Sequence, residues 1–172
     1  IDPHIHRYKS LKDIFTIPTK MLTANLLIAD YIQKKFKNEI IIGPDGESYQ
    51  WAECIAKHIH VDATVLKKTR FSSRHVHVKM INPIPIKDKN VIIVDDIIST
   101  GHTIAEAAKQ ARKMGAKSVS AIGVHGLFVE NGMEKLKKAG VNKIITTNCI
   151  EHPTNKIDIT PLLLAELKKE KK

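Results

Sequence analysis

The order of apolar segments in this chain predicts an α/β fold, a parallel sheet, mixed at an edge, flanked by helices. Three observations carry that expectation. Short runs of Ile and Val alternate with longer stretches of helical period. Glycine and proline punctuate the junctions, with Gly115 and Gly140 closing helical stretches and Asn82-Pro83-Ile84-Pro85 separating two other elements. Val91–Val94 is an unbroken β-branched run, the pattern of a strand buried on both faces.

Met21–Phe36 places Met21, Leu22, Ala24, Leu27, Ile28, Tyr31 and Ile32 near one stripe and reads as the first helix. Ile40–Ile42 reads as a strand that runs into the turn-rich Gly43-Pro44-Asp45-Gly46. Ser48–His58 is helical, and Ala63–Leu66 is the next strand. Val76–Met80 alternates and reads as a third. After Val91–Val94 come a helix over Thr103–Met114, a strand over Val119–Val124, a helix over Gly132–Ala139 and a strand over Lys143–Thr146. Pro161–Lys169 is a last helix with proline in its first turn, where a missing N–H does no harm.

The 172 residues are enough for one domain with a full core, and 42% apolar with 27% charged residues is an ordinary globular balance. No apolar run approaches the ~20 residues that span a bilayer, so no membrane partner is expected. The net charge of +10 comes from lysines spread over every helix and pooled at Lys168–Lys172. Aromatics are only 5% and do not interleave with them, so a solvated basic surface is expected rather than nucleic-acid binding. Cys54 and Cys149 are far apart with no CxxC spacing, which fits a reducing, cytoplasmic setting without disulfides or zinc. The chain opens on Ile1 and the chemically loaded string IDPHIHR, from which we expect that residues precede it in the natural protein.

The motif with most chemistry is VIIVDDIISTGHTI, Val91–Ile104. A buried strand would hold Asp95 and Asp96 at its carboxyl end, where two adjacent, poorly solvated carboxylates need compensation by sugar hydroxyls or a divalent cation. Ser99, Thr100, Gly101, His102 and Thr103 then supply backbone N–H groups and hydroxyls at the start of a helix. The helix directs its partial positive charge to the same point, and Gly101 permits close approach or positive φ. Such a site suits a phosphate with a diol one step away, the shape of ribose 5-phosphate. An Asp N-cap would explain one of these residues but not the acid pair together with the whole STGHT run.

This string resembles the phosphoribosyl diphosphate signature of the type I phosphoribosyltransferases and of the ribose-phosphate diphosphokinases, with His102 where the common form has Gly. Other segments resemble the diphosphokinases in particular, in a form like those of archaea, and match their C-terminal part. Asp2-Pro3-His4 is similar to their Asp-x-His segment, which implies that Asp2 and His4 reach metal and nucleotide phosphates. Gly43–Glu47 is similar to their strand-end loop, which implies that Asp45 serves the diphosphate and its metal. Lys68-Thr69-Arg70 resembles the Lys-x-Arg at the base of their mobile loop, which implies catalytic roles for Lys68 and Arg70. His125–Phe128, Asn148–Pro153 and Ile157–Leu167 follow the same pattern.

The resemblance therefore implies a type I phosphoribosyltransferase-like fold and transfer of the diphosphoryl group of ATP to ribose 5-phosphate. Mg²⁺ is the expected cofactor, because oxygen ligands and phosphates suit it. Residues 1–20 are expected to be the remnant of a missing N-terminal domain, 21–157 the phosphoribosyltransferase-like domain, and 158–172 a C-terminal helix with a basic tail. A fragment of this kind is expected to form a homo-oligomer, to bind ribose 5-phosphate weakly and not to turn over. Two other readings stand beside this one: a phosphoribosyltransferase, for which no hood over a base is evident, and a non-catalytic regulatory relative. Of the His-x-His pairs, His58/His60 and His75/His77 lack an evident third ligand and read as surface residues, and His125 reads as structural.

Overall fold

A computed structural model describes residues 1–5, 7, 8, 10–70, 76–80 and 83–170, with the side chains of 67–70, 76–80 and 170 outside the description. After a 3-10 turn at Leu11–Asp13, the chain runs through α1 (Asn25–Lys35), β1 (Glu39–Gly43), α2 (Tyr49–Ile59), β2 (Ala63–Arg70) and β3 (Val76–Met80). It continues through β4 (Asn90–Ile98), α3 (His102–Lys113), β5 (Ser118–Gly126), α4 (Gly132–Lys138), β6 (Lys143–Thr147), β7 (Asn155–Ile157) and α5 (Thr160–Glu170). The sheet order is β3-β2-β1-β4-β5-β6-β7. β2 and β3 pair antiparallel, and every other neighbouring pair is parallel.

Alternation across the pleat sends successive residues of the central strands into two cores. Ile40, Ile42, Val91 and Ile93 pack with Ile104, Ala108 and Ala111 of α3 and Leu136 of α4. Ile41, Ile92 and Val94 pack on the other face with Ile28 and Ile32 of α1 and Ile55 and Ile59 of α2. The sheet is thus covered on both sides, and its unbroken apolar runs follow from that. No helix among the described residues is long and apolar enough to cross a membrane.

The helices and strands expected from periodicity are present, with informative shifts. α1 begins at Asn25 rather than Met21, because the preceding residues are engaged by the start of the chain. Asp2 donates its N–H to Leu22 O at 2.9 Å, and Ala24 donates its N–H to Asp2 Oδ2 at 2.7 Å. β4 runs on to Ile98, so Asp95 and Asp96 lie within the strand, paired with β5 as far as Ile98 and Gly126. β7 is a three-residue strand with no alternation to announce it.

The connection that follows β1 leads to β2 on one side, and the connection that follows β4 leads to β5 on the other. The strand order therefore reverses between β1 and β4. In open α/β sheets the carboxyl ends of such a pair border a crevice that takes ligands.

Candidate active site

Both acidic segments of the sequence arrive at this reversal point. Asp45 follows β1, and Asp95 and Asp96 lie in the second half of β4. They line a cleft of about 990 Å³ together with Asp2, His4 and Thr103. The structure so brings together six of the expected site residues from four separate parts of the chain. Ser99, Thr100, Gly101 and His102 lie outside the cleft wall, joined to it through Thr103.

Adjacent residues on a strand point to opposite faces, so Asp95 and Asp96 meet different surroundings. Asp96 is only 2% exposed, and its Oδ2 accepts from His4 Nδ1 at 2.8 Å. Asp95 accepts from the N–H of Asp96 at 3.1 Å. Its carboxyl is pushed up to about 8, first by burial and then by the negative charges of Asp96 and Asp45. Hard oxygen donors that repel one another are the natural surroundings of a divalent cation, which would relieve the repulsion. No group of three or more His, Cys, Asp or Glu among the described residues is arranged to hold a metal alone. Carboxylate oxygens are the donor type used by an ion such as Mg²⁺, which takes one or two protein ligands and keeps water and phosphate oxygens.

Asp45 shapes its own loop. Its Oδ1 accepts from the N–H of Glu47 (3.1 Å), the N–H of Ser48 (3.0 Å) and the hydroxyl of Ser48 (2.7 Å), just before α2 begins. Asp2 combines a place in the cleft wall with a structural bond, since its Oδ2 satisfies Ala24 N–H at the start of α1. At the end of β5, His125 Nε2 donates to the carbonyls of Ile1 (2.8 Å) and Asp2 (3.3 Å). Both partners are acceptors, so Nε2 carries the proton. The structural reading of His125 holds, and its function is to fasten the segment that carries Asp2 and His4.

The STGHT run forms the link from β4 to α3. Among the described residues no acceptor takes the backbone N–H of Ser99, Thr100 or Gly101, and His102 N–H has only a long contact of 3.5 Å to Thr100 Oγ1. Gly101 caps α3 with φ +71°, the left-handed conformation expected for it. His102 opens the helix as an exposed residue, so its side chain does not fill the loop. Consecutive N–H groups at a helix start that no described acceptor takes are of the kind that can receive an anion.

Lys68 and Arg70 stand at the end of β2, and their side chains lie outside the described residues. So do His75 and the side chain of His77. His58 is 3.6 Å from Asp30 at the surface, and His60 closes α2 with φ 58°, which fits their reading as surface residues. Sequence reasoning missed Asn25. It lines the cleft, is 8% exposed, and keeps Oδ1 buried without a hydrogen-bond partner among the described residues. The signal was absent because a polar residue on an apolar stripe looks like any solvated position until the cleft is known.

A mostly parallel sheet with helices on both faces and an acid pair at its reversal point defines an α/β protein with a strand-end site, and residues 10–160 match the phosphoribosyl transferase domain model. The chain belongs to that family. Among its relatives is a ribose-phosphate pyrophosphokinase of Pyrococcus furiosus, 38% identical over 160 residues, which are 93% of this chain and 56% of that protein. Another, of Sulfolobus acidocaldarius, is 37% identical over 155 residues, covering 90% of this chain and 53% of that one. The crystal structure of phosphoribosylpyrophosphate synthetase from Mycobacterium smegmatis superposes with a TM-score of 0.78 at 26% identity, over 95% of this chain and 55% of that chain. APRTase from Giardia lamblia, at 15% identity and a TM-score of 0.58 over 81% of this chain and 84% of that chain, shares the fold. The chain spans about half the length of the curated relatives it matches.

Proposed function

We propose that this chain supplies the ribose 5-phosphate side of an enzyme that transfers the diphosphoryl group of ATP to the anomeric hydroxyl of ribose 5-phosphate. The products are phosphoribosyl diphosphate and AMP. The observation that carries the reading is the pairing of an amide cradle at Ser99–Gly101 with the acid pair Asp95 and Asp96 a few residues upstream on the same strand. Relatives at 37–38% identity named ribose-phosphate pyrophosphokinase support it.

In this reading the backbone N–H groups of Ser99–Thr103 and the hydroxyls of Ser99, Thr100 and Thr103 hold the 5-phosphate. Asp95 and Asp96 hold the ribose hydroxyls, with Asp95 able to donate while its carboxyl keeps a proton. Asp45, Asp2 and His4 face the diphosphate. Carboxylates of this set would hold a Mg²⁺, which would supply charge neutralisation for the diphosphate. Lys68 and Arg70 stabilise charge on the transferred group. The anomeric oxygen bonds to the β-phosphorus as the bond to the α-phosphoryl oxygen breaks, AMP leaves, and the hydroxyl proton passes to water. Such a transfer rests on positioning more than on a strong base. Self-association belongs to the same reading. Phe15, Ile17, Met21, Leu164 and Leu167 are exposed, and the Lys20–Glu166 ion pair joins their two segments.

Calorimetric titration with ribose 5-phosphate tests the site. The Asp95→Ala, Asp96→Ala double variant should lose affinity for ribose 5-phosphate and keep affinity for inorganic phosphate. Equal binding of ribose 5-phosphate by both proteins would defeat the assignment. AMP formed from ATP only in the presence of ribose 5-phosphate would support the reaction. Diphosphate released from phosphoribosyl diphosphate on addition of a nucleobase would instead favour a phosphoribosyltransferase.

A further inference from the structure

The back of the anion loop rests on the first residue of α4. A Cβ placed on Gly132 would lie 2.7 Å from Ser99 O and 3.3 Å from Thr100 C. A Cβ placed on Gly101 would lie 3.1 Å from Gly132 O and 3.2 Å from Leu136 Cγ. The two glycines therefore interlock, each leaving room for the other's backbone. Their reasons for being glycine differ. Gly101 has φ +71°, whereas Gly132 has no left-handed φ, so its backbone would suit any residue. The approach of the Ser99–Thr100 backbone, Ser99 O nearest, is what excludes a side chain there.

That approach has a directional consequence. The peptide from Ser99 to Thr100 is trans, so its C=O and N–H point in opposite directions. The Ser99 carbonyl faces Gly132, and the Thr100 N–H therefore faces away from α4. Both sides of the contact are referenced to one residue. Leu127 N–H and Phe128 N–H both donate to Ile98 O, at 2.9 and 3.0 Å, immediately before Ser99. Between Phe128 and Gly132 the chain takes left-handed φ at Phe128, Glu130 and Asn131, and Gly132 N–H closes on Val129 O at 3.0 Å. Such non-glycine conformations persist where surrounding bonds over-determine them.

We infer that Gly132 is a positioning residue for the anion site: by admitting Ser99 O at close range it sets the Ser99–Thr100 peptide plane and aims the Thr100 N–H at the bound phosphate. The inference rests on the reading of Ser99–Thr103 as a phosphate cradle. When a side chain is placed at 132, the loop rather than α4 yields. α4 is anchored by Leu136, which is fully buried, while Ser99 and Thr100 are partly exposed.

The test is amide NMR and calorimetry of the full chain titrated with inorganic phosphate, for the wild type, Gly132→Ala and Glu134→Ala, the last an exposed change on the same helix. In the wild type the Thr100 amide should shift on binding. Gly132→Ala should displace that amide in the free protein and weaken phosphate binding by about tenfold to a hundredfold, the scale of a misplacement near one ångström. Its thermal midpoint should fall as well, because the contact is with backbone, but the displaced Thr100 amide and the lost affinity of the folded variant are readouts that a purely structural role would not move. Glu134→Ala should bind like the wild type. Unchanged affinity in a folded Gly132→Ala overturns the inference and leaves the cradle intact. A wild-type Thr100 amide that stays still while phosphate binds overturns it too, even if Gly132→Ala does not fold. No phosphate binding by the wild type defeats the cradle, and the inference with it.

Discussion

His4 Nδ1 lies 2.8 Å from Asp96 Oδ2, joining the start of the chain to a strand ninety-two positions further on. The bond gives the buried acid of the cleft a donor from outside the α/β core. Truncation to His4→Ala leaves a carboxylate that is 2% exposed without that donor. The expected loss is about 1–3 kcal/mol, seen as a lower urea midpoint with little change in slope. An unchanged midpoint would mean that water serves Asp96 equally well.

Asp95 predicts an inverted pH dependence. Its folded carboxyl releases its proton at about 8, against 3.8 for the ordinary group. Between those values the folded chain keeps a proton that the unfolded chain has lost, so this residue's contribution to stability falls as pH rises through the window. Asp95→Asn abolishes the titration. Thermal melts should show a gain over the wild type that is larger at about pH 9 than at about pH 5. A gain independent of pH would contradict the assignment.

Asp2 separates a ligand role from a folding role. Its Oδ2 accepts the buried Ala24 N–H at 2.7 Å, so Asp2→Ala leaves a donor at the start of α1 unsatisfied. The expected destabilisation is about 1–2 kcal/mol by denaturant titration in the absence of any ligand. A variant that melts like the wild type would return Asp2 to the cleft alone.

Added Mg²⁺ should raise the melting temperature of the wild type more than that of Asp95→Asn. Binding at neutral pH should also release protons, because the ion displaces the one that Asp95 holds. Calorimetry in two buffers of different ionisation enthalpy measures this release, and none would be seen if the ion avoids Asp95.

Local pattern made much of this legible. The runs at Ile40–Ile42 and Val91–Val94 mark strands because both faces are covered, and Asp95, Asp96 and the STGHT loop follow directly from one such run. What stayed hidden depends on distant partners. Met21–Ala24 carries a helical stripe yet is not helical, since Asp2 claims its backbone. β7 is too short and polar to alternate. Nothing near Gly132 reveals that Ser99 lies against it, and only the three-dimensional approach explains that glycine. The pairing of His4 with Asp96 likewise has no local signature, since the resemblance implies a phosphate and metal role for His4 and a ribose role for Asp96.

The bonds from His125 to the carbonyls of Ile1 and Asp2 bear on how the molecule comes apart. The opening segment grips the core through polar contacts at Ile1, Asp2 and His4 and the packing of the Ile1 side chain, and it exposes Tyr8, Ile14, Phe15 and Ile17 rather than burying them. Its release forfeits the apolar burial of Ile1 and little more, so it should open as a separate unit below the free energy of global unfolding. Amide hydrogen exchange should report two populations, with Ala24 exchanging ahead of the β4 and β5 amides. The part of the cleft lined by Asp2 and His4 should therefore come apart before the central strands do.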